Sequence, residues 1–317
     1  MVSKSAAETT DNPDTIKKKS VRLLQTSRTL YEISKKKDGI TRKYHLHFIT
    51  SSDLKTASKE SRMPIYTHFM LFIVIGTVIA YAITLQVVSM LWDGHVARRL
   101  GRETVPFCRI ADHPSATVMF IGDSTAVGVG ARHVSQSIAG RLATDFPHTT
   151  IINHAISGSS SNDLIKALSE HSDWRADLLI IHIGGIDLFG LRPLHTIQKN
   201  LLSILRKSQA IAPRIVLFTS ANLGSLPFFH FPISLLFSWR TKRLRTFILQ
   251  RAEKGDFSYV DLYYEPKDDP FLRNRKKFFA PDHIHPSSDG YALWYHKLRE
   301  ILSRNGWDAD LKKQSLF

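Results

Sequence analysis

From Met63 to Trp92 the chain carries no Asp, Glu, Lys or Arg. No other feature restricts its folding as much. Within that run, Phe69 to Leu91 is almost wholly apolar. At about 1.5 Å per residue this stretch makes a helix roughly 35 Å long, against about 30 Å for a bilayer's hydrocarbon core. A long buried core helix is the alternative, but such helices are rarely apolar on every face. The sequence therefore predicts a single transmembrane helix over 66–92. Tyr66 and Trp92 fall near its ends, where interfacial rings are favoured. A cleavable signal peptide would begin within the first few residues, whereas this run follows a long leader.

That leader, 1–62, is basic, with runs at Lys17-Lys18-Lys19, Lys35-Lys36-Lys37 and Arg42-Lys43. It is expected to be disordered or to lie on anionic lipid. Its charge favours a cytoplasmic N-terminus and a large C-terminal part on the periplasmic or extracytoplasmic side. Arg98, Arg99 and Arg102, just beyond the span, pull the other way. Formal net charge is +15. No zinc-finger spacing or aromatic–basic alternation accompanies it, so membrane lipid is the expected partner and nucleic acid is not. Cys108 is the only cysteine, which excludes an intrachain disulfide.

After a linker at 93–113, short apolar runs alternate with helical stretches. Strands are expected at Thr117–Ile121, Thr150–Asn153, Leu178–Ile183, Arg214–Thr219 and Tyr259–Leu262. Helices are expected at about Val129–Phe146, Asn162–Glu170, Leu194–Ser208, Leu235–Lys254 and Asp289–Ser303. This alternation predicts an α/β domain over 114–305, a parallel sheet covered on both faces, with a tail at 306–317. Ligands of such sheets bind beyond the carboxyl ends of the strands. Ser124, Gly158, Asp187 and the loop near Asn222 all follow strands and would share one rim.

Ser124 ends the first strand in Phe120-Ile121-Gly122-Asp123-Ser124. Far downstream lies Asp282-His283-Ile284-His285-Pro286-Ser287, before the last helix. A serine hydroxyl becomes a nucleophile when a base takes its proton, and the base needs an acid to fix its tautomer. The Gly-x-Ser-x-Gly elbow of α/β-hydrolases is absent.

These blocks resemble those of the GDSL-type esterases, or SGNH hydrolases, over about residues 115–303. Asn153-His154-Ala155-Ile156-Ser157-Gly158 supplies a second block, Gly184-Gly185-Ile186-Asp187 a third, and Gly290-Tyr291 extends the last. The resemblance implies a three-layer flavodoxin-like domain of SGNH type, and esterase or lipase-like activity without a cofactor. It implies that Ser124 attacks the ester carbonyl, His285 relays the proton and Asp282 orients His285. The N–H groups of Ser124 and Gly158 would face the oxyanion. Ile186 stands where the family has an asparagine donor. Losing such a donor costs about 10²–10³ in rate. Asn162 or Asn222 could replace it, the enzyme could be slow, or the domain could be a catalytically silent binding scaffold tethered to the membrane.

Asp123 and Asp187 are read as loop-shaping residues. His283, His285, His182, Asp282 and Asp187 also admit a zinc site, but the serine reading uses the same residues with fewer assumptions, so no metal is expected. Leu226–Ile233 is very apolar for a loop. Phe228 and Phe229, with Asn222, are candidates for substrate contact, in an acyl pocket or at the lipid surface; a loop packed on the core is the alternative. Candidate substrates are acyl or acetyl esters of lipids or glycans.

Overall fold

A computed structural model describes residues 36–37, 40–41 and 65–312. The chain divides into two compact units, Met1–Gly76 and Thr77–Phe317. In the first, the described residues form a two-residue antiparallel pair, Lys36–Lys37 with Ile40–Thr41, and the start of a long helix. The rest of the leader expected over 1–62 lies outside the described residues.

That helix, α1, runs Ile65–Glu103. It is long and apolar enough to cross a membrane. Almost every side chain from Tyr66 to Leu91 is exposed, on all faces. The helix does not stop at Trp92. Its next turns, within the second unit, bury Asp93 and Val96. The first half of the stretch read as a linker is thus helix. Beyond it, Arg109 pairs with Ile151, and its guanidinium donates to the carbonyls of Ala143, Phe146 and Thr149.

The second unit is an α/β domain around one five-stranded parallel sheet. The strands are β1 (Ala116–Gly122), β2 (Thr149–Asn153), β3 (Leu178–His182), β4 (Ile215–Phe218) and β5 (Ser258–Val260), in the order β2-β1-β3-β4-β5. All four pairings are parallel, with Phe120 opposite Ile180 and Asn153. β3 and β4 are buried at every position. Continuous apolar runs such as Leu178–Ile181 are what a sheet covered on both faces requires.

The crossovers carry α3 (Ile138–Asp145), α4 (Ser161–Glu170), α6 (Leu194–Ser208) and α7 (Ile233–Ala252). β1 to β2 runs one way along the sheet and the later connections run the other. Right-handed crossovers then place α3 on the face opposite α4, α6 and α7. α10 (Ser288–Arg304) packs on α3 and completes its layer. This is the flavodoxin-like order, whose switch point lies between β1 and β3, at the strands' carboxyl ends.

Two boundaries depart from the sequence reading. The helix expected from about Val129 starts later: a short helix, α2, covers Ser124–Val127, Gly128 and Gly130 take positive φ, a 3₁₀ turn follows at Val134–Gln136, and α3 begins behind the Ser137 cap. At the other end, Trp307–Lys312 forms a helix, α11, where a tail was expected. Leu311 is buried, its carbonyl accepts from Ser115 and Thr149, and Asp310 pairs with Arg214. The last five residues lie outside the described ones.

Candidate active site

The nucleophile loop follows from β1. Asp123 caps α2, accepting from the Thr125 N–H at 3.0 Å and from its hydroxyl. Gly122 has φ +138, and a Cβ there would lie 1.9 Å from the His182 carbonyl oxygen. Only glycine lets β1 press against β3 at this point. Ser124 is thereby set at the sheet's carboxyl edge, and its side chain is largely buried.

The 279–288 segment supplies Asp282 and His285. Ala280 N–H donates to the His285 carbonyl, His283 N–H to that of Ala280, and Phe279 bridges Pro286. Ser287 caps α10. Inside this closed loop Asp282 is wholly buried. Its Oδ1 accepts the backbone N–H groups of Ile284 and His285, each at 3.0 Å. Its Oδ2 lies 2.5 Å from His285 Nδ1, and His285 Nε2 lies 2.7 Å from Ser124 Oγ. A carboxylate only accepts, so Nδ1 carries the proton and Nε2 is left to accept from the serine hydroxyl. Burial pushes the Asp282 pKa up. The His285 ring, then the N–H groups of His285 and Ile284, push it down further, and it ends below the usual carboxylate value. Asp282 is therefore ionised at neutral pH.

The Gly158 loop follows β2. Asn153 holds it, donating to the Ala126 carbonyl at 2.9 Å and accepting from Ala155 N–H at 3.0 Å. Gly158 has φ +84. Neither its N–H nor that of Ser124 is used in a loop, turn or cap hydrogen bond. Both residues line the same cavity of about 650 Å³, together with His285, Ile186, Asn222 and Phe228.

The third loop opens α5 (Gly185–Phe189). Ile186 is partly exposed on the cavity wall. Asp187 points away, accepting from Ser161 N–H and Oγ at 2.8 Å each and pairing with Arg192 Nε at 2.8 Å. Asn200 donates to Ser161 Oγ and to Asn162 Oδ1. Of the two asparagines considered as replacement donors, Asn162 is exposed and does not line the cavity. Asn222 is buried there, and its Oδ1 accepts from Gly224 N–H while its Nδ2 has no partner.

The two candidate phenylalanines separate. Phe228 lines the cavity beside Phe189, their ring centroids 5.1 Å apart. Phe229 is a packing residue that stacks on Phe237 at 3.9 Å and does not line the cavity. Phe231 is the exposed ring of that loop. His182 is fully buried beside Phe218 and Trp294, and burial lowers its pKa, with Asp123 opposing weakly. Among the described residues no group of three or more His, Cys, Asp or Glu is placed to hold a metal ion.

Sequence reasoning missed one part of the site. Met90, Gly94, Ala97, Arg98 and Arg102 of α1 also line this cavity. The signal available in the sequence was that no proline interrupts the chain between Trp92 and Glu103.

The profile of the GDSL-like Lipase/Acylhydrolase family matches residues 120–293, more than half of the chain. The chain belongs to that family, a family of ester-hydrolysing enzymes. Solved structures similar to it include a lipolytic protein of the G-D-S-L family from Veillonella parvula DSM 2008. That protein is 15% identical, with 59% of this chain and 98% of that one covered and a TM-score of 0.49. An extracellular lipase from Streptomyces rimosus is 17% identical over 58% and 98%, with a TM-score of 0.47. A catalytic mutant of Axe2, an acetylxylan esterase from Geobacillus stearothermophilus, is 20% identical over 61% and 96%, with a TM-score of 0.46. No curated protein matches the sequence.

Proposed function

We propose that the protein is a membrane-anchored serine esterase that cleaves carboxylic esters through an acyl-serine intermediate. The observation that supports this most is the unbroken chain Ser124 Oγ–His285 Nε2, His285 Nδ1–Asp282 Oδ2. In the first step Ser124 Oγ bonds to the ester carbon as its proton passes to His285 Nε2. The oxyanion faces the free N–H groups of Ser124 and Gly158. Collapse expels the alcohol, which takes the proton from His285. Water, deprotonated by the same imidazole, then adds to the acyl-serine, and its collapse returns the carboxylic acid and free Ser124. Asp282 holds the tautomer and stabilises the imidazolium throughout.

Asn222 is the residue proposed to stand in for the missing asparagine donor, on the strength of its unpaired Nδ2 in the same cavity. Phe228 contributes to the acyl wall. The substrates are acyl or acetyl esters of lipids or glycans. The test is labelling of the full-length protein in neutral detergent with a fluorophosphonate. Labelling that is lost in Ser124→Ala and His285→Ala supports the enzyme. A folded protein that takes no label is the catalytically silent scaffold.

The apolar helix and the basic leader support a cytoplasmic N-terminus with the catalytic domain on the other side. Cys108, the only cysteine, is exposed and follows the helix. A membrane-impermeant maleimide should label it in right-side-out vesicles. Labelling only after detergent is added would reverse the orientation.

A further inference from the structure

Where α1 leaves its apolar stretch it becomes part of the catalytic domain. Asp93 is 3% exposed, and its carboxylate meets His283 Nδ1 at 3.1 Å. His283 sits between Asp282 and His285 and holds φ +56, a conformation rare for a residue with a side chain. About 12 Å further along the helix axis, Gly101 abuts the oxyanion loop: a Cβ there would lie 2.5 Å from Ser157 Oγ. The helix thus crosses the active-site rim from the histidine loop to the Gly158 loop. Between those two contacts it presents small residues to the cavity. A Cβ on Gly94 would meet nothing within 4 Å, and Ala97 lies one turn on.

The same face carries charge. Arg98 and Arg102 line the cavity, and among the described residues neither has a carboxylate partner. Arg102 Nε donates only to the Arg98 carbonyl. Arg99, on another face of the helix, pairs with Glu103 and does not line the cavity. The cavity's two carboxylates are already engaged as helix caps, Asp123 by Thr125 and Asp269 by Phe271 N–H. The cavity also has apolar lining, including Phe189, Phe228 and Ile284.

We propose that the end of α1 is a substrate-binding wall, and that the substrate is an acyl ester whose alcohol half carries a phosphate or carboxylate. Gly94 and Ala97 leave room above Ser124. Arg98 and Arg102 take the anion, and the apolar walls take the acyl chain. This rests on the esterase reading above.

The test uses full-length protein in neutral detergent with water-soluble butyryl esters of glycerol, glycerol 3-phosphate and glyceric acid. Short chains remove any effect of a charged lipid surface. Charge-assisted contacts of this kind favour an anionic ester by about 10-fold to 100-fold in kcat/KM. The preference should reside in KM, fall towards one in Arg98→Ala/Arg102→Ala, and persist in Arg99→Ala. The phosphate and carboxylate arms tell which anion is preferred. Gly94→Trp should raise KM for all three esters by filling the space under the helix. A wild-type ratio near one overturns the proposal, as does an equal drop in Arg99→Ala. Fluorophosphonate labelling of the same preparations separates the two failures. No labelling strikes the esterase reading; labelling with no charge preference strikes this inference alone.

Discussion

The two sides of the catalytic rim are built to different standards. On the Ser124 side the relay side chains are fully bonded: Asp282 accepts three hydrogen bonds, and His285 is held at both ring nitrogens. On the Ile186 side the supports of the loop are present, with Asp187 bonded to Ser161 and Arg192, but the side chain facing the cavity cannot donate. The contrast teaches that the loop's shape and its chemistry are separable. Asp187 fixes where the loop goes; the residue before it decides whether it assists the oxyanion.

The largest effects should fall on the first side. Ser124→Ala or His285→Ala should lower kcat by about 10⁴-fold to 10⁶-fold, and Asp282→Asn by about 10⁴-fold with little change in KM. Burst and steady-state kinetics on a butyrate ester measure this. Comparable loss from any residue of the Ile186 loop would erase the contrast.

The second side should yield smaller numbers, and they should be coupled. If Asn222 Nδ2 meets the oxyanion, Asn222→Ala lowers kcat by about 10²-fold, the usual cost of one donor. Ile186→Asn then adds little to wild type but restores much of the loss in Asn222→Ala. A double-mutant cycle on kcat/KM reads the coupling directly. Additive effects would mean that Asn222 acts elsewhere in the cavity. A large gain from Ile186→Asn alone would mean that the position is simply vacant.

The Phe228 and Phe229 pair sharpens the same division between chemistry and support. Phe229→Ala should cost about 3–5 kcal/mol of stability, because its ring stacks inside the core. Phe228→Ala should lower kcat/KM on octanoyl esters more than on acetyl esters. Thermal melts and acyl-chain profiles of both variants distinguish them, and identical behaviour would sink the distinction.

How much of this was readable from residues alone follows the same physics. The Ser124 and Asp282–His285 blocks were legible because a serine relay demands particular residue types, here after the first strand and in the loop before the last long helix, and Leu194–Ser208 was legible because its apolar period is strong. The role of α1 was not. Asp93, Arg98 and Arg99 end the uncharged run and Asp93-Gly94 is a turn-type pair, so the sequence marks a stop at Trp92. What keeps the helix going past that point is contact with residues far away in sequence, His283 and Ser157. Likewise Phe228 and Phe229 are adjacent, identical in type and both buried in the core; only tertiary packing puts Phe228 on the cavity wall as well. The helical pattern from Val129 on also hid the late start of α3 at Ile138, behind a 3₁₀ turn at Val134–Gln136.

The smallest effect concerns His182, which lies beneath the rim between the two sides. Its ring is enclosed by Phe218 and Trp294, and burial lowers its pKa below the ordinary 6.5. In the folded protein it stays neutral where the unfolded chain has begun to bind a proton. Stability is therefore fully present above about pH 6.5 and falls as pH drops through that value towards the folded pKa. Asp282, whose pKa is lowered, acts in the same direction, but only in the carboxylate range, several units lower. Between about pH 7.5 and 5.5 the imidazole effect stands apart from it. Thermal midpoints of the wild type should fall across this interval, and those of His182→Gln should fall less, because glutamine binds no proton. Equal slopes in the two proteins would show that the acid sensitivity comes from other histidines, such as His154, whose pKa burial also lowers.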